Sequence, residues 1–139
     1  MVSRVLVAMD DSEMAEKALR YTLDVHADAE ITILAVVGEP SVFMGRATTI
    51  AMADDPEKTA EEHAQPVIDR AHEIAAEYGV ELDTIVKTGH PVRQILNQAE
   101  DFDTVVIGSH SGTLADHLFV GNVAQKVFRR SPVPVTVVR

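Results

Sequence analysis

The chain has no cysteine, which removes both a disulfide framework and any thiolate metal site and agrees with a reducing cytoplasm. It is also poor in cations: 12 Lys and Arg stand against 22 Asp and Glu, a formal charge of −10 at pH 7. Nucleic-acid phosphates need clustered Lys and Arg, so no nucleic-acid partner is expected. The acidic balance would suit a high-salt solvent, where self-repulsion is screened. No apolar run approaches the ~20 residues that cross a bilayer. Met1-Val2-Ser3-Arg4-Val5-Leu6-Val7-Ala8 lacks the basic start and long apolar stretch of a secretory leader. The expectation is a single cytoplasmic domain over residues 1–139 without membrane contact, long enough to bury roughly 70% of its unfolded surface.

Several catalytic and binding signatures are missing too. There is no G-x-x-x-x-G-K-[ST] loop, no G-x-G-x-x-G fingerprint and no G-x-S-x-G elbow, which removes the P-loop, dinucleotide and serine-hydrolase readings. Asp10-Asp11 after the first strand resembles the acidic site of a receiver domain. That reading also needs an Asp ending strand three and a Lys after strand five, where this chain has Lys87-Thr88 and the terminal Arg139. His63 and His72 are too far apart for an i, i+4 metal pair, and His110, Asp116 and His117 read first as solvated loop residues.

What is present is alternation. Arg4–Met9 is a continuous apolar run suited to a strand buried on both faces. Asp11 or Ser12 caps a helix in which Met14, Ala15, Ala18, Leu19, Thr22 and Val25 recur at helical spacing through Asp28. Strand two covers 30–37. Residues 38–56 lack periodicity but carry Val42, Phe43, Met44, Ile50 and Met52, which suits local packing or a lid. A helical pattern runs from Glu57 to Gly79, with a kink or a later start near Gln65 expected from Pro66 and Gly79 as the C′ residue. Strand three, 81–88, alternates and so belongs near an edge. Helix three opens at Pro91 and faces Val92, Ile95, Leu96 and Ala99 inward. Strand four is 103–107. Helix four, 120–130, carries an apolar stripe of Val120, Val123, Ala124, Val127 and Phe128, and strand five is 133–138.

This order predicts an α/β fold, a doubly wound open sheet of five parallel strands in the order 3-2-1-4-5 with helices on both faces. In such sheets a ligand lies beyond the carboxyl ends of the strands where the strand order reverses. The end of strand one at Asp10 and the end of strand four at Gly108 should therefore share one crevice. Val105-Val106-Ile107-Gly108-Ser109-His110-Ser111-Gly112, followed by Gly121-Asn122 opening a helix, is a pattern that aims backbone N–H groups at an anion.

Taken together, Val5-Leu6-Val7-Ala8-Met9-Asp10, Ser12-Glu13, Gly89-His90-Pro91, Val106-Ile107-Gly108-Ser109-His110, Val120-Gly121-Asn122-Val123-Ala124 and Ser131-Pro132-Val133-Pro134-Val135 resemble the universal stress protein family over nearly the whole chain. Nucleotide-binding members carry Gly, two residues, Gly, nine residues, Gly and then Ser or Thr. Gly108 and Gly121 match the outer glycines in register, whereas Ser111 stands at the second glycine and Asn122 at the hydroxyl position. The resemblance implies that Asp10 hydrogen-bonds adenine or ribose beside Ala8 and Val36. It implies that Gly108, the loop amides at Ser109, Ser111 and Gly112, and the helix start at Gly121, Asn122 and Val123 hold the phosphates, with Ile107 also among the nucleotide-binding residues. It also implies ATP, or else ADP or AMP, with Mg²⁺ as the ligand. No Lys or Arg lies between Gly108 and Gly121, so amide dipoles and a divalent cation would carry the phosphate charge.

The apolar terminal strand 133–138 has a free edge that invites a homodimer. No activated base is visible, so at most weak ATP hydrolysis is expected, and no downstream protein partner can be named. The competing expectation is a nucleotide-independent dimeric interaction module whose site has decayed at Ser111 and Asn122.

Overall fold

A computed structural model describes residues 1–37, 56–109 and 122–139, with the backbone alone at 56 and 57. The segment 38–55 and the loop residues His110, Ser111, Gly112, Asp116, His117, Val120 and Gly121 lie outside the described residues. Five strands, β1 (Arg4–Ala8), β2 (Glu30–Val37), β3 (Asp83–Thr88), β4 (Thr104–Gly108) and β5 (Val135–Val138), form one sheet in the order β3-β2-β1-β4-β5. Every pairing is parallel. The helices are α1 (Glu13–Val25), α2 (Pro56–Glu77), α3 (Pro91–Ala99) and α4 (Asn122–Arg130).

Strand periodicity divides the core between two faces. Val5, Val7, Ile31, Ile33 and Val106 pack with Leu19 and Leu23 of α1 and Ile74 of α2. Leu6, Leu34, Val105 and Ile107 pack with Ile95 of α3 and Val127 of α4. β1, β2 and β4 read as continuous apolar runs because helices cover both of their faces. β3, with no fully buried residue, is the edge that its alternation predicts.

Gly79 has φ +69°, Val80 N–H donates to Ala75 O at 3.0 Å and Gly79 N–H to Ala76 O at 3.1 Å, the Schellman closure expected of a C′ glycine. Four expectations are corrected. The helix does not restart near Gln65: α2 is continuous from Pro56 through Pro66. Pro66 and Glu62 are both exposed, so the Glu62 carbonyl that loses its i+4 donor is on the solvent side. The first helix ends at Val25, not Asp28, with His26 N–H donating to Thr22 O at 2.8 Å. β5 begins at Val135, because Val133 N–H and Val133 O are both engaged with the Ser131 hydroxyl. The stripe on α4 is narrower than its sequence suggests: Ala124 and Val127 are buried, but Val123 and Phe128 are 36% and 57% exposed.

Two electrostatic ties hold this frame together. Arg70 on α2 bonds Glu16 on α1 (Nε to Oε1, 2.8 Å) and Glu73 (3.1 Å), and Arg20 bonds Glu77 at 2.7 Å. Asp103 Oδ2 accepts from the Ser3 and Arg4 N–H groups at 2.8 and 2.9 Å, fixing the start of β1 beside β4. The hydrogen bond from Arg70 holds the Glu16 carboxyl below its ordinary value of 4.5, and the two backbone donors hold Asp103 below 3.8. A depressed folded pKa means that the unfolded chain binds more protons in acid. The stabilisation is therefore present above the ordinary values, 4.5 for Glu16 and 3.8 for Asp103, and is lost as pH falls below them through the lowered values of the folded protein. Thermal melts between pH 7 and 3 should show a shallower acid-side loss for Glu16→Gln and for Asp103→Asn than for the parent chain.

Candidate functional site

The carboxyl ends of β1 and β4 meet where the sheet order reverses, and a cavity of ≈ 330 Å³ opens there. Its walls come from strand ends and helix starts. Ala8 ends β1 and Met9 and Asp10 follow it, Leu34 and Val36 lie in the second half of β2, and Ile107 and Gly108 end β4. Ser12 and Ala15 of α1, Pro91 and Ile95 of α3, and Val123 and Ala124 of α4 complete the lining. The result is an apolar chamber bordered by one carboxylate, Asp10, with no Lys or Arg on its described walls.

The turn after β1 has a local cause. Asp10 Oδ1 accepts from Ser12 N–H at 2.9 Å, and Ser12 Oγ accepts from Ala15 N–H at 3.1 Å. Ser12 is thus the N-cap of α1, and the Asp10 side chain fixes the approach to that cap. One carboxylate oxygen is committed to the turn, while Asp10 as a residue stays exposed. Met9 N–H donates to Leu34 O at 2.9 Å, holding β1 against β2 up to the cavity edge.

Gly108 has a role that its sequence context did not reveal. A Cβ built there would lie 2.6 Å from the carbonyl oxygen of Met14 and 2.8 Å from its carbonyl carbon. The glycine is therefore needed for the backbone of α1 to lie against the end of β4, whatever it does for a ligand. Ser109 N–H donates to Val138 O at 2.7 Å. That amide belongs to the sheet, which leaves the Ser109 side chain, not its N–H, for the loop.

Of the expected site residues, Ala8, Asp10, Val36, Ile107, Gly108 and Val123 line the cavity together. Asn122 opens α4 but is exposed and is not part of the wall, and Ser109 lies just beyond it. Ser111, Gly112 and Gly121 lie outside the described residues. The sequence reading missed Met9, Ser12, Ala15, Leu34, Pro91, Ile95 and Ala124 as lining residues. Leu34 was within reach, being two residues before Val36 on the same face of a strand. Pro91 and Ile95 required knowing that the start of α3 packs over the carboxyl ends of the neighbouring strands β1 and β4.

The universal stress protein family model matches residues 1–139. The chain belongs to the universal stress protein family. Universal stress protein YxiE of Bacillus subtilis is 32% identical over 148 residues, covering 100% of both chains. The structure of universal stress protein UspA from Lactobacillus plantarum matches with a TM-score of 0.74 at 24% identity, over 99% of this chain and 98% of that one. Two further universal stress proteins share the fold. One in complex with cAMP matches at a TM-score of 0.70 and 23% identity, over 99% of this chain and 97% of that one. One from Archaeoglobus fulgidus in complex with dAMP matches at 0.68 and 20%, over 100% and 98%. At these identities the structural matches establish the universal stress fold, five parallel strands in the order 3-2-1-4-5. Among the described residues no helix is long and apolar enough to cross a membrane.

Proposed function

We propose that this universal stress protein binds an adenine nucleotide as a regulatory ligand in the cavity between Asp10 and Gly108. The observation that carries the reading is the chamber itself. It is walled by Ala8, Leu34, Val36, Ile95 and Ile107 and bordered by a single carboxylate. A purine suits such walls, and its exocyclic amine or a ribose hydroxyl suits an acceptor-only carboxylate. The family members crystallised with cAMP and dAMP support an adenine ligand. In this reading ATP with Mg²⁺ is the expected form, with ADP and AMP as competitors. Phosphates extend toward Ser111, Gly112, Gly121 and Asn122, and the ligand acts as a signal rather than a substrate. In this reading Mg²⁺ is held largely by the nucleotide's phosphates, as is common for that ion.

Calorimetry with ATP, ADP and AMP in Mg²⁺, at low and high salt, tests this, together with mass spectrometry of gently purified protein. Saturable binding of at least one nucleotide is expected, and no binding up to millimolar ligand overturns the reading. A second reading, a nucleotide-independent interaction module, is favoured by the absence of any cation on the described cavity walls. It predicts a folded, stable protein indifferent to all three nucleotides.

The proposal includes a homodimer in the cytoplasm, formed through the C-terminal strand β5. β5 is an edge strand by its place in the sheet, and the exposed Phe128 of α4, the helix leading into it, supplies apolar surface. Light scattering at micromolar concentration should report twice the chain mass, and a monomer refutes this part.

A further inference from the structure

The distribution of charge over the helices is uneven in a way that the nucleotide cavity does not use. α3 and α4 together contain no Asp or Glu, in a chain that has 22. Between them lies a second cavity of ≈ 380 Å³, separate from the first, lined by His90, Arg93, Asn97, Lys126 and Arg130 over the apolar residues Val92 and Leu96. Arg93 and Asn97 are one helical turn apart on α3, as are Lys126 and Arg130 on α4, so each helix presents its polar pair on one face. Some cations elsewhere answer carboxylates, as Arg70 answers Glu16 and Arg20 answers Glu77, whereas Lys17, Lys87 and Arg129 stand singly and are not gathered around a cavity among the described residues. No side-chain hydrogen bond or ion pair engages Arg93, Lys126 or Arg130 among the described residues.

We propose that this groove binds a compact polyphosphate, either an inorganic phosphate chain or a small metabolite carrying two or more phosphoryl groups. Two guanidinium forks and an ammonium suit phosphate oxygens, with Asn97 as a further donor. The volume is in the range of small-molecule sites, about 300–1,000 Å³. Nine-residue helices at 1.5 Å per residue make a trough of roughly 13 Å, short for a polymer. Size is also selected electrostatically. A compact anion feels mainly charges within the Debye length of about 8 Å at physiological salt, whereas a nucleic acid or an acidic protein would extend over the surface of a chain whose net charge is −10.

Inorganic tripolyphosphate and fructose 1,6-bisphosphate, titrated calorimetrically into the intact protein at low salt, test the proposal. Saturable binding of either is expected, weakened at least tenfold by 0.5 M salt as is usual for phosphate contacts. Tighter tripolyphosphate makes the free phosphate chain the ligand class. A tighter sugar bisphosphate makes it an organic phosphate resting on Val92 and Leu96. Lys126→Ala with Arg130→Ala should weaken binding by roughly twenty-five-fold, about fivefold for each exposed cation removed, with the ligand-free melting temperature unchanged. Asp10→Asn, which alters the nucleotide cavity, should leave tripolyphosphate binding intact. No binding of either anion at millimolar concentration, or unchanged affinity in the double variant, overturns the proposal, and neither outcome bears on the adenine site.

Discussion

Gly108→Ala should lower the thermal midpoint by about 6–10 °C, corresponding to roughly 2–3 kcal/mol in a domain of this length. The added methyl would be 2.6 Å from a backbone carbonyl oxygen of α1, a distance that no Cβ tolerates. A crowded side chain can rotate away, but the Met14 carbonyl belongs to a helix held by Leu19 and Leu23 in the core. β4 cannot retreat either, because Val105, Val106 and Ile107 are buried and Gly108 pairs with Val138. Strain is therefore shared by a small movement of α1 away from the sheet, and the cost should fall in the upper part of the overpacking range. Met14→Ala should give no rescue, since the obstacle is the carbonyl. The same movement displaces the turn at Asp10-Asp11-Ser12, so nucleotide affinity should fall together with stability. Differential scanning calorimetry paired with ligand titration checks both. Lost affinity at an unchanged midpoint would mean that Gly108 serves the ligand alone and that α1 yields freely.

Gly108 also marks the limit of what could be read without coordinates. The alternation of β-rich runs with helical stripes was enough for a parallel α/β sheet, and the order 3-2-1-4-5, one of the common doubly wound arrangements, brings Asp10 and Gly108 into one crevice. That inference is robust because burial of a parallel sheet on both faces leaves continuous apolar runs such as Val105-Val106-Ile107, which few other arrangements produce. A glycine ending a strand was readable as a backbone requirement, but not whether a phosphate or a neighbouring helix imposed it. The distinction rests on a contact 94 positions away along the chain, between Gly108 and Met14. Phe128 was misread for a related reason. Its spacing fits the stripe of Ala124 and Val127, yet the sheet beneath α4 is narrow there, because β5 is short and at the edge. Periodicity specifies which residues share a helix face, but not how wide a surface waits to cover it. The cations between α3 and α4 escaped notice because they are spread over 38 positions, from Arg93 to Arg130, and only parallel packing of two helices gathers them.

Asp10→Asn should reduce adenine-nucleotide affinity about 10–100-fold while leaving the thermal midpoint within about 2 °C, because a hydrogen bond to a charged group contributes about 1.5–3 kcal/mol. The substitution separates two duties of one side chain. Oδ1 accepts the Ser12 N–H at 2.9 Å, and an asparagine carbonyl oxygen can do the same, so the N-cap of α1 survives. The other carboxylate oxygen becomes an amide, which donates where it formerly accepted. Opposite an adenine amine or a ribose hydroxyl, that exchange loses a charge-assisted bond and sets donor against donor. Asp10→Ala removes both duties and should cost similar affinity together with about 3 °C of midpoint as the turn loosens. Charge gives the experiment a second edge. Asp10 repels phosphate, so a nucleotide lying with its phosphates at the end of β1 would bind Asp10→Asn more tightly, and ATP would gain more than AMP. A loss of affinity equal for ATP, ADP and AMP puts the nucleoside beside Asp10 and the phosphates at the start of α4, whereas a gain that grows with phosphate number reverses the ligand in the cavity.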